Sequence, residues 1–289
     1  MELAHSSDIS GILASQNRDG GWGYHEGASW TEPTVYALLA QLAAGSREDH
    51  IARGLAWIAR SQRSDGGWAP LPFVVDESTW VTILAALLLA QQPGVAGLSK
   101  AVPWILSQSG RESTLANRIR VFLLGLHPDM DRRFIGWPWF PGTAAWTAPT
   151  ALAILALRKI DRLQPNADVR GRIDDGRAYL IDRMCQDGGW NQGSPRNLGY
   201  EATSYAETTG LVLLALHDMP AQGLEKSLAC AERHLAHCRS AEGASWLRLG
   251  LLAHGRMAPG TELPRRTVME RSLFVLAAAA SEGRNVFLS

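Results

Sequence analysis

RGLAWIARSQRSDGGW, residues 53–68, decides the fold, because the chain writes it more than once. Aligned on the aspartate of DGGW, it matches DGRAYLIDRMCQDGGW at 175–190, with Gly54 over Gly176, Trp57 over Tyr179 and Ile58 over Leu180. SGILASQNRDGGW, residues 10–22, fits the same frame with Gln16 over Gln62, whereas Met184 replaces that glutamine in the 175–190 copy. A recurring unit of this kind buries its apolar face only against its neighbours, so the chain reads as an array of helical hairpins.

A polar loop follows each DGGW, and then a helix rich in alanine and leucine: SWTEPTVYALLAQLAA (29–44), DESTWVTILAALLLAQ (76–91) and SYAETTGLVLLALHD (204–218). RESTLANRIRVFLLGL (111–126), AWTAPTALAILALRKI (145–160) and ASWLRLGLLAHGR (244–256) fit this second half without a full DGGW before them. Helices apolar nearly all round belong between an outer shell and a centre. The alternating segments near 8–17, 48–62, 97–108, 168–185, 222–238 and 265–281 carry charge on one side and read as that outer shell. Ser29 with Glu32, Ser109 with Glu112 and Ser204 with Glu207 have capping-box spacing, and Pro33 and Pro149 suit a first helical turn. The expectation is an all-α chain, an (α/α)6 toroid of helical hairpins in a single domain over residues 1–289. The pairing is least clear at HPDMDRRFIGWPWFPGTAA (127–145).

The totals narrow the function. The chain has 289 residues, 46% hydrophobic and 19% charged, enough for a well-buried core. Its 28 basic and 28 acidic residues create no broad field, so nucleic acid is not an expected partner. MELAHSSDIS lacks the basic stretch and apolar core of a signal peptide, and VTILAALLLA (81–90) is too short to span a bilayer. A cytoplasmic location is expected, with contact to a membrane surface left open, as is the oligomeric state. Cys185, Cys230 and Cys238 form neither a disulfide framework nor a CxxC pattern.

The motif at 53–68 resembles the QW repeat of squalene-hopene and oxidosqualene cyclases. WTEPTVYALLAQL resembles an inner-helix signature shared with the β-subunits of protein prenyltransferases. The resemblance implies an (α/α)6 barrel, similar to one catalytic domain of a class II terpene cyclase, whose apolar cavity holds an isoprenoid or other apolar small molecule. It also implies that the repeat's glutamine and tryptophan are scaffold, tying an outer helix to the next turn.

In that family the middle aspartate of a DxDD motif protonates the substrate, and this chain has no DxDD. By position the nearest equivalent is VVDEST (74–79), where Asp76 and Glu77 open an inner helix. A carboxyl group kept protonated there by desolvation would suit a general acid, while an N-cap role explains Asp76 without chemistry. DMD at 129–131 is half the motif in a loop, and Glu207 is the second candidate acid, beside Tyr200, Glu201 and Tyr205. Trp30, Trp80, Trp137, Trp139, Phe140, Trp146 and Trp246 fall near inner-helix starts and, with Tyr200 and Tyr205, are the expected substrate-binding aromatics. Their faces stabilise carbocations through their quadrupoles. Trp57 and Trp104 read as core. Arg111 and Arg118 are candidates to grip a diphosphate, against the simpler reading of solvated surface, and no cofactor is expected, with magnesium left open should the substrate be a diphosphate. The zinc-binding D-x-C pattern of prenyltransferases is missing from SYAETT. Cys230, His234, His237 and Cys238 share a helical face but read as an ordinary half-buried surface, so no metal site is expected. The leading reading is a small polyprenyl cyclase that starts by protonation. Its alternative is a non-catalytic isoprenoid- or lipid-binding toroid that has lost the acid.

Overall fold

Six helices are buried along most of their length, and they stand together as a closed ring. They are α2 (Thr31–Ala44), α4 (Val81–Leu89), α7 (Thr147–Leu163), α9 (Ala206–Ala215), α11 (Ala241–Ala253) and α12 (Val268–Ser281), each packed on the next, with α12 returning to α2. The structure, a computed structural model, describes residues 2–46, 48–92, 94–124, 134–197 and 200–289, without the side chains at 2–5, 118, 121, 122 and 197. Outside the ring lie α1 (Glu2–Ala14) against α12 and α2, α3 (Glu48–Arg60) on α2 and α5 (Leu98–Ser107) on α4. α8 (Ala167–Asp182) lies on α7, and α10 (Glu225–His237) on α11 and α9. The toroid is therefore the expected α/α architecture. Among the described residues the strands form two short hairpins, β1 (Trp137–Pro138) with β2 (Ala145–Trp146) and β3 (Arg196–Asn197) with β4 (Tyr200–Glu201).

The DGGW tryptophans are the joints. The last carbonyls of a helix have no partner within it. The indole N–H of Trp22 donates to the Ile12 carbonyl at 2.7 Å, Trp68 to Ile58 at 2.8 Å and Trp190 to Leu180 at 2.6 Å, each in the last turn of an outer helix. The backbone N–H of the same residues donates to Thr34 at 2.8 Å, Thr82 at 2.9 Å and Thr209 at 3.0 Å, in the first turn of the next inner helix. Asp19, Asp65 and Asp187 close the turn by accepting from the backbone N–H of Gly21, Gly67 and Gly189, each at 3.0 Å. In two copies the glutamine amide adds a cross-link: Gln16 donates to Gly20 and His50, and Gln62 to Gly66 and Gly97. All three indoles are fully buried, so truncating one would cost about 3–5 kcal/mol.

Trp137 is a fourth joint and not a cavity aromatic. It is fully buried, donates from its indole to the Ile105 carbonyl at 2.8 Å and from its backbone to Thr150 at 2.9 Å. Arg172 covers its other face, 3.9 Å from the ring centre.

Two helices change places relative to the sequence expectation. The segment 111–126 is not an inner helix: α6 (Leu115–Leu123) stands outside the ring with Leu115, Ile119 and Leu123 exposed. Its polar positions, Asn117, Arg118 and Arg120, leave it too little apolar surface for an all-round packed site. The segment 265–281 is inner and not outer, because the run of alanines at 277–280 lets α12 lie closely between α11 and α2. α12 is also tied to α1, where buried Asp8 holds Arg265 at 2.9 Å and Arg271 at 3.3 Å. The tightest helix contact joins α9 to α11. A Cβ on Gly210 would lie 2.3 Å from the Trp246 backbone, and one on Gly250 2.4 Å from the Gly210 carbonyl oxygen.

Candidate functional site

Inner-helix first turns converge on one cavity. It measures ≈ 360 Å³ and is lined by Glu32 and Tyr36 of α2, Ala148 and Leu152 of α7, Glu207, Thr208 and Leu211 of α9, and Glu242 and Trp246 of α11. Trp80, Trp139 and Gln192 complete the wall. The wall is layered by helical geometry. Glu32, Glu207 and Glu242 are each the second residue of their helix, and Tyr36, Leu211 and Trp246 follow four positions later, one turn deeper. Carboxyl groups thus form the rim and apolar groups the floor. Trp80 and Trp139 meet edge to face with centres 4.6 Å apart, and Trp246 meets Tyr36 likewise at 6.0 Å.

None of the three serine–glutamate capping boxes forms. The residue before α2 is Trp30, in extended conformation, and before α9 it is Tyr205, so each glutamate sits one position too early to reach back. Ser29 and Ser204 instead hydrogen-bond to Asp19 and Asp187. Glu112 is used structurally, accepting the Ala145 backbone N–H at 3.0 Å. A capping box is present only at Thr267 and Glu270 among the described residues. Glu32 and Glu207 are thereby left to face the cavity.

Glu32 is the most perturbed of these acids. Burial pushes its carboxyl up to about 7; the Tyr24 hydroxyl, which donates to its Oε2, pulls the other way, and the nearby Glu242 charge pushes it further up. Glu242 is also raised, first by burial and then by Glu207, with Trp246 hydrogen bonding favouring its charged form. Burial, Glu32 and Glu242 together hold the Tyr36 phenol far above its ordinary range. A carboxyl group that keeps its proton near neutrality is thus held above an aromatic floor.

The sequence candidates divide accordingly. Trp80, Trp139, Trp246 and Glu207 are brought together in the cavity. Asp76 is not: its side chain is 96% exposed and pairs with Arg63 at 2.8 Å, so the desolvation a general acid needs is missing. Glu77 is exposed beside it. Trp30 stacks edge-on with Tyr24 at 5.5 Å without lining the cavity. Trp146 and Tyr205 flank a neighbouring groove of ≈ 300 Å³ that shares Gln192 with the cavity. Phe140 and Tyr200 are exposed, as is Arg111. The DMD at 129–131 and the Arg118 side chain lie outside the described residues. Cys230 and His234 turn toward Asp187, whereas His237 and Cys238 bond to the Arg233 and Ser240 carbonyls, so the four do not form one site. Reasoning from sequence missed Tyr24, Tyr36, Gln192, Thr208 and Glu242. The recurrence of glutamate at the second helical position was the available signal for Glu242.

Comparison with known proteins agrees with the repeat. No family model matches the chain. It is 24% identical over 245 residues to the drimenyl diphosphate synthase of Streptomyces showdoensis, covering 71% of this chain and 45% of that one. It is 22% identical over 225 residues to the squalene–hopene cyclase of Bradyrhizobium diazoefficiens, covering 69% and 31%. The chain therefore spans less than half the length of these relatives. Among solved structures, a type II terpene cyclase from Scytonema in complex with geranylgeranyl dihydroxybenzoate aligns with a TM-score of 0.58 at 18% identity, over 99% of this chain and 78% of that one. The endo-beta-1,4-glucanase CMCax of Acetobacter xylinum aligns at 0.64 with 14% identity, over 97% and 98%. These structures share the fold, and the sequence relatives fit the terpene cyclase and α/α toroid superfamily. No helix among the described residues is long and apolar enough to cross a membrane.

Proposed function

Starting from this relationship to terpene cyclases, we propose that the chain binds a short isoprenoid in the central cavity and cyclises it by protonation, with Glu32 as the acid. The observation that carries the reading is the Glu32 carboxyl, raised to about 7 above a floor of Tyr36, Leu211 and Trp246. General acids work best when their pKa lies near the working pH, where enough of the acid form is present. In the proposed step the Glu32 proton adds to a carbon–carbon double bond, leaving a tertiary cation. A second double bond attacks that cation, closing a carbon–carbon bond and moving the charge along the chain. We assign Trp80, Trp139 and Trp246 to stabilise it through their ring faces. Loss of a proton to Glu207 restores a neutral alkene, and proton exchange with solvent then reprotonates Glu32 and deprotonates Glu207 for the next turnover. The ≈ 360 Å³ volume lies at the small end of ligand pockets, about 300–1,000 Å³, which favours farnesyl over squalene-sized substrates.

The test is incubation with farnesyl diphosphate, geranylgeranyl diphosphate and squalene, with and without magnesium, and product analysis by mass spectrometry. A cyclic product is expected, lost at least about 100-fold in Glu32→Gln and retained in Asp76→Asn. Full activity in Glu32→Gln, or no cyclic product from any substrate, overturns the proposal. If the isoprenoid binds but is returned unchanged, the non-catalytic binding reading takes its place. Cello-oligosaccharides form a further arm, because carboxyl groups set between indoles also suit glycoside hydrolysis.

A further inference from the structure

The third DGGW joint differs from the others in what the neighbouring outer helix offers it. The carbonyls of Arg53, Lys100 and Lys226 lie against the first glycine of the three pairs, Gly20, Gly66 and Gly188, which sets α3, α5 and α10 in one register. Four residues later come Trp57, Trp104 and Cys230. In the first copy the Trp57 indole donates to Asp19 at 3.0 Å and fills the space. In the third, the smaller Cys230 admits His234, one turn further along α10. Ligand atoms of Asp187, Cys230 and His234 consequently all lie within 4.8 Å of one another.

We propose that Asp187, Cys230 and His234 form a binding site for one divalent transition-metal ion, zinc by the chemistry of its donors, that clamps α10 to the loop leading into α9. Carboxylate, thiolate and imidazole in tetrahedral array are a zinc donor set. The Ser204 hydroxyl marks the centre, 2.7 Å from Asp187 Oδ2, 2.7 Å from His234 Nε2 and 3.5 Å from Cys230 Sγ. Bond lengths to zinc are about 2.1 Å to oxygen and nitrogen and about 2.3 Å to sulfur, so rotating the Ser204 hydroxyl aside and drawing the ligands in by about 1 Å completes three bonds. Ser204 or water supplies the fourth. The thiolate and not the thiol ligates a metal, so binding releases the Sγ proton to solvent. Arg233 faces the same loop, donating to the Asp187 backbone carbonyl at 3.3 Å and interacting with the Cys230 sulfur, while the carboxylate accepts the Gly189 backbone N–H through Oδ1 and keeps Oδ2 toward Ser204. This site is separate from the cavity and does not rest on the proposed cyclisation.

The test uses the whole chain, freed of metal with a chelator and titrated with cobalt(II) as the spectroscopic probe, then with zinc in competition. One cobalt per chain is expected, with a thiolate-to-cobalt charge-transfer band, tetrahedral visible bands and release of a proton. Zinc is expected to bleach these bands and raise the unfolding temperature. Cys230→Ser abolishes the band and His234→Ala weakens binding by more than about 10-fold, whereas Cys185→Ser and Cys238→Ser leave it intact. Should Cys230→Ser fail to fold, His234→Ala and His237→Ala decide between them: only the first weakens binding. No charge-transfer band in the parent, a band that survives in Cys230→Ser, or equal weakening by both histidine variants overturns the proposal.

Discussion

Glu32 gives up water on folding, and the cost falls on its charged form. Its folded carboxyl titrates at about 7 against an ordinary 4.5, so the folded chain holds that proton more tightly than the unfolded one. Below about pH 4.5 both states are neutral and the group is silent; as pH rises toward 7 the unfolded chain ionises freely while the folded one resists, and stability is lost. Glu32→Gln removes this liability. It is expected to unfold like the parent at about pH 4 and to be more stable by up to about 3 kcal/mol at about pH 8. Denaturant melts at the two pH values check it, and an equal difference at both would contradict the assigned burial. The same residue shows what the sequence could not convey. Ser29-x-x-Glu32 spells a capping box, but the extended Trp30 occupies the cap position and shifts the frame by one residue. Glu242 was harder still, because no DGGW precedes SAEGASW and its glutamate falls into the recurring second position once Ser240 is placed as the helix cap.

At the scale of elements, close approach does as much as apolar burial. α9 and α11 touch backbone to backbone through Gly210 and Gly250. They carry Glu207 and Glu242 on their first turns, so their spacing sets the width of the rim. Gly210→Ala is expected to cost about 3 kcal/mol by driving a methyl group into the Trp246 backbone. Thermal unfolding measures that loss; a change below about 0.5 kcal/mol would mean the helices separate without penalty. The joints at Trp22, Trp68 and Trp190 were legible because their partner carbonyl always lies ten residues earlier in the sequence. Trp137 was not, because its partner Ile105 is 32 residues away and no DGG precedes it. α6 was misread for the same reason: it occupies the chain between those two residues, where the Ser109-x-x-Glu112 spacing imitates an inner-helix start although Asn117, Arg118 and Arg120 make the helix too polar for one.

Over the whole molecule, the ring closes where α12 meets α2 and α1. Asp8, with 4% of its side chain exposed, fastens that seam to Arg265 and Arg271. Asp8→Asn leaves two arginines facing one another across a neutral amide and is expected to cost about 3 kcal/mol. If closure makes the toroid one cooperative unit, fluorescence and circular dichroism should still melt together in this variant, at a lower midpoint. Separate transitions would show that the hairpins unfold independently. The long span at Trp137 has a different use. A ring that shuts correctly whether a joint bridges ten residues or 32 has one place where the length of intervening polypeptide is not dictated by closure. A reporter peptide or guest domain spliced into the α6 excursion would be carried as cargo, leaving the hollow and its acids undisturbed.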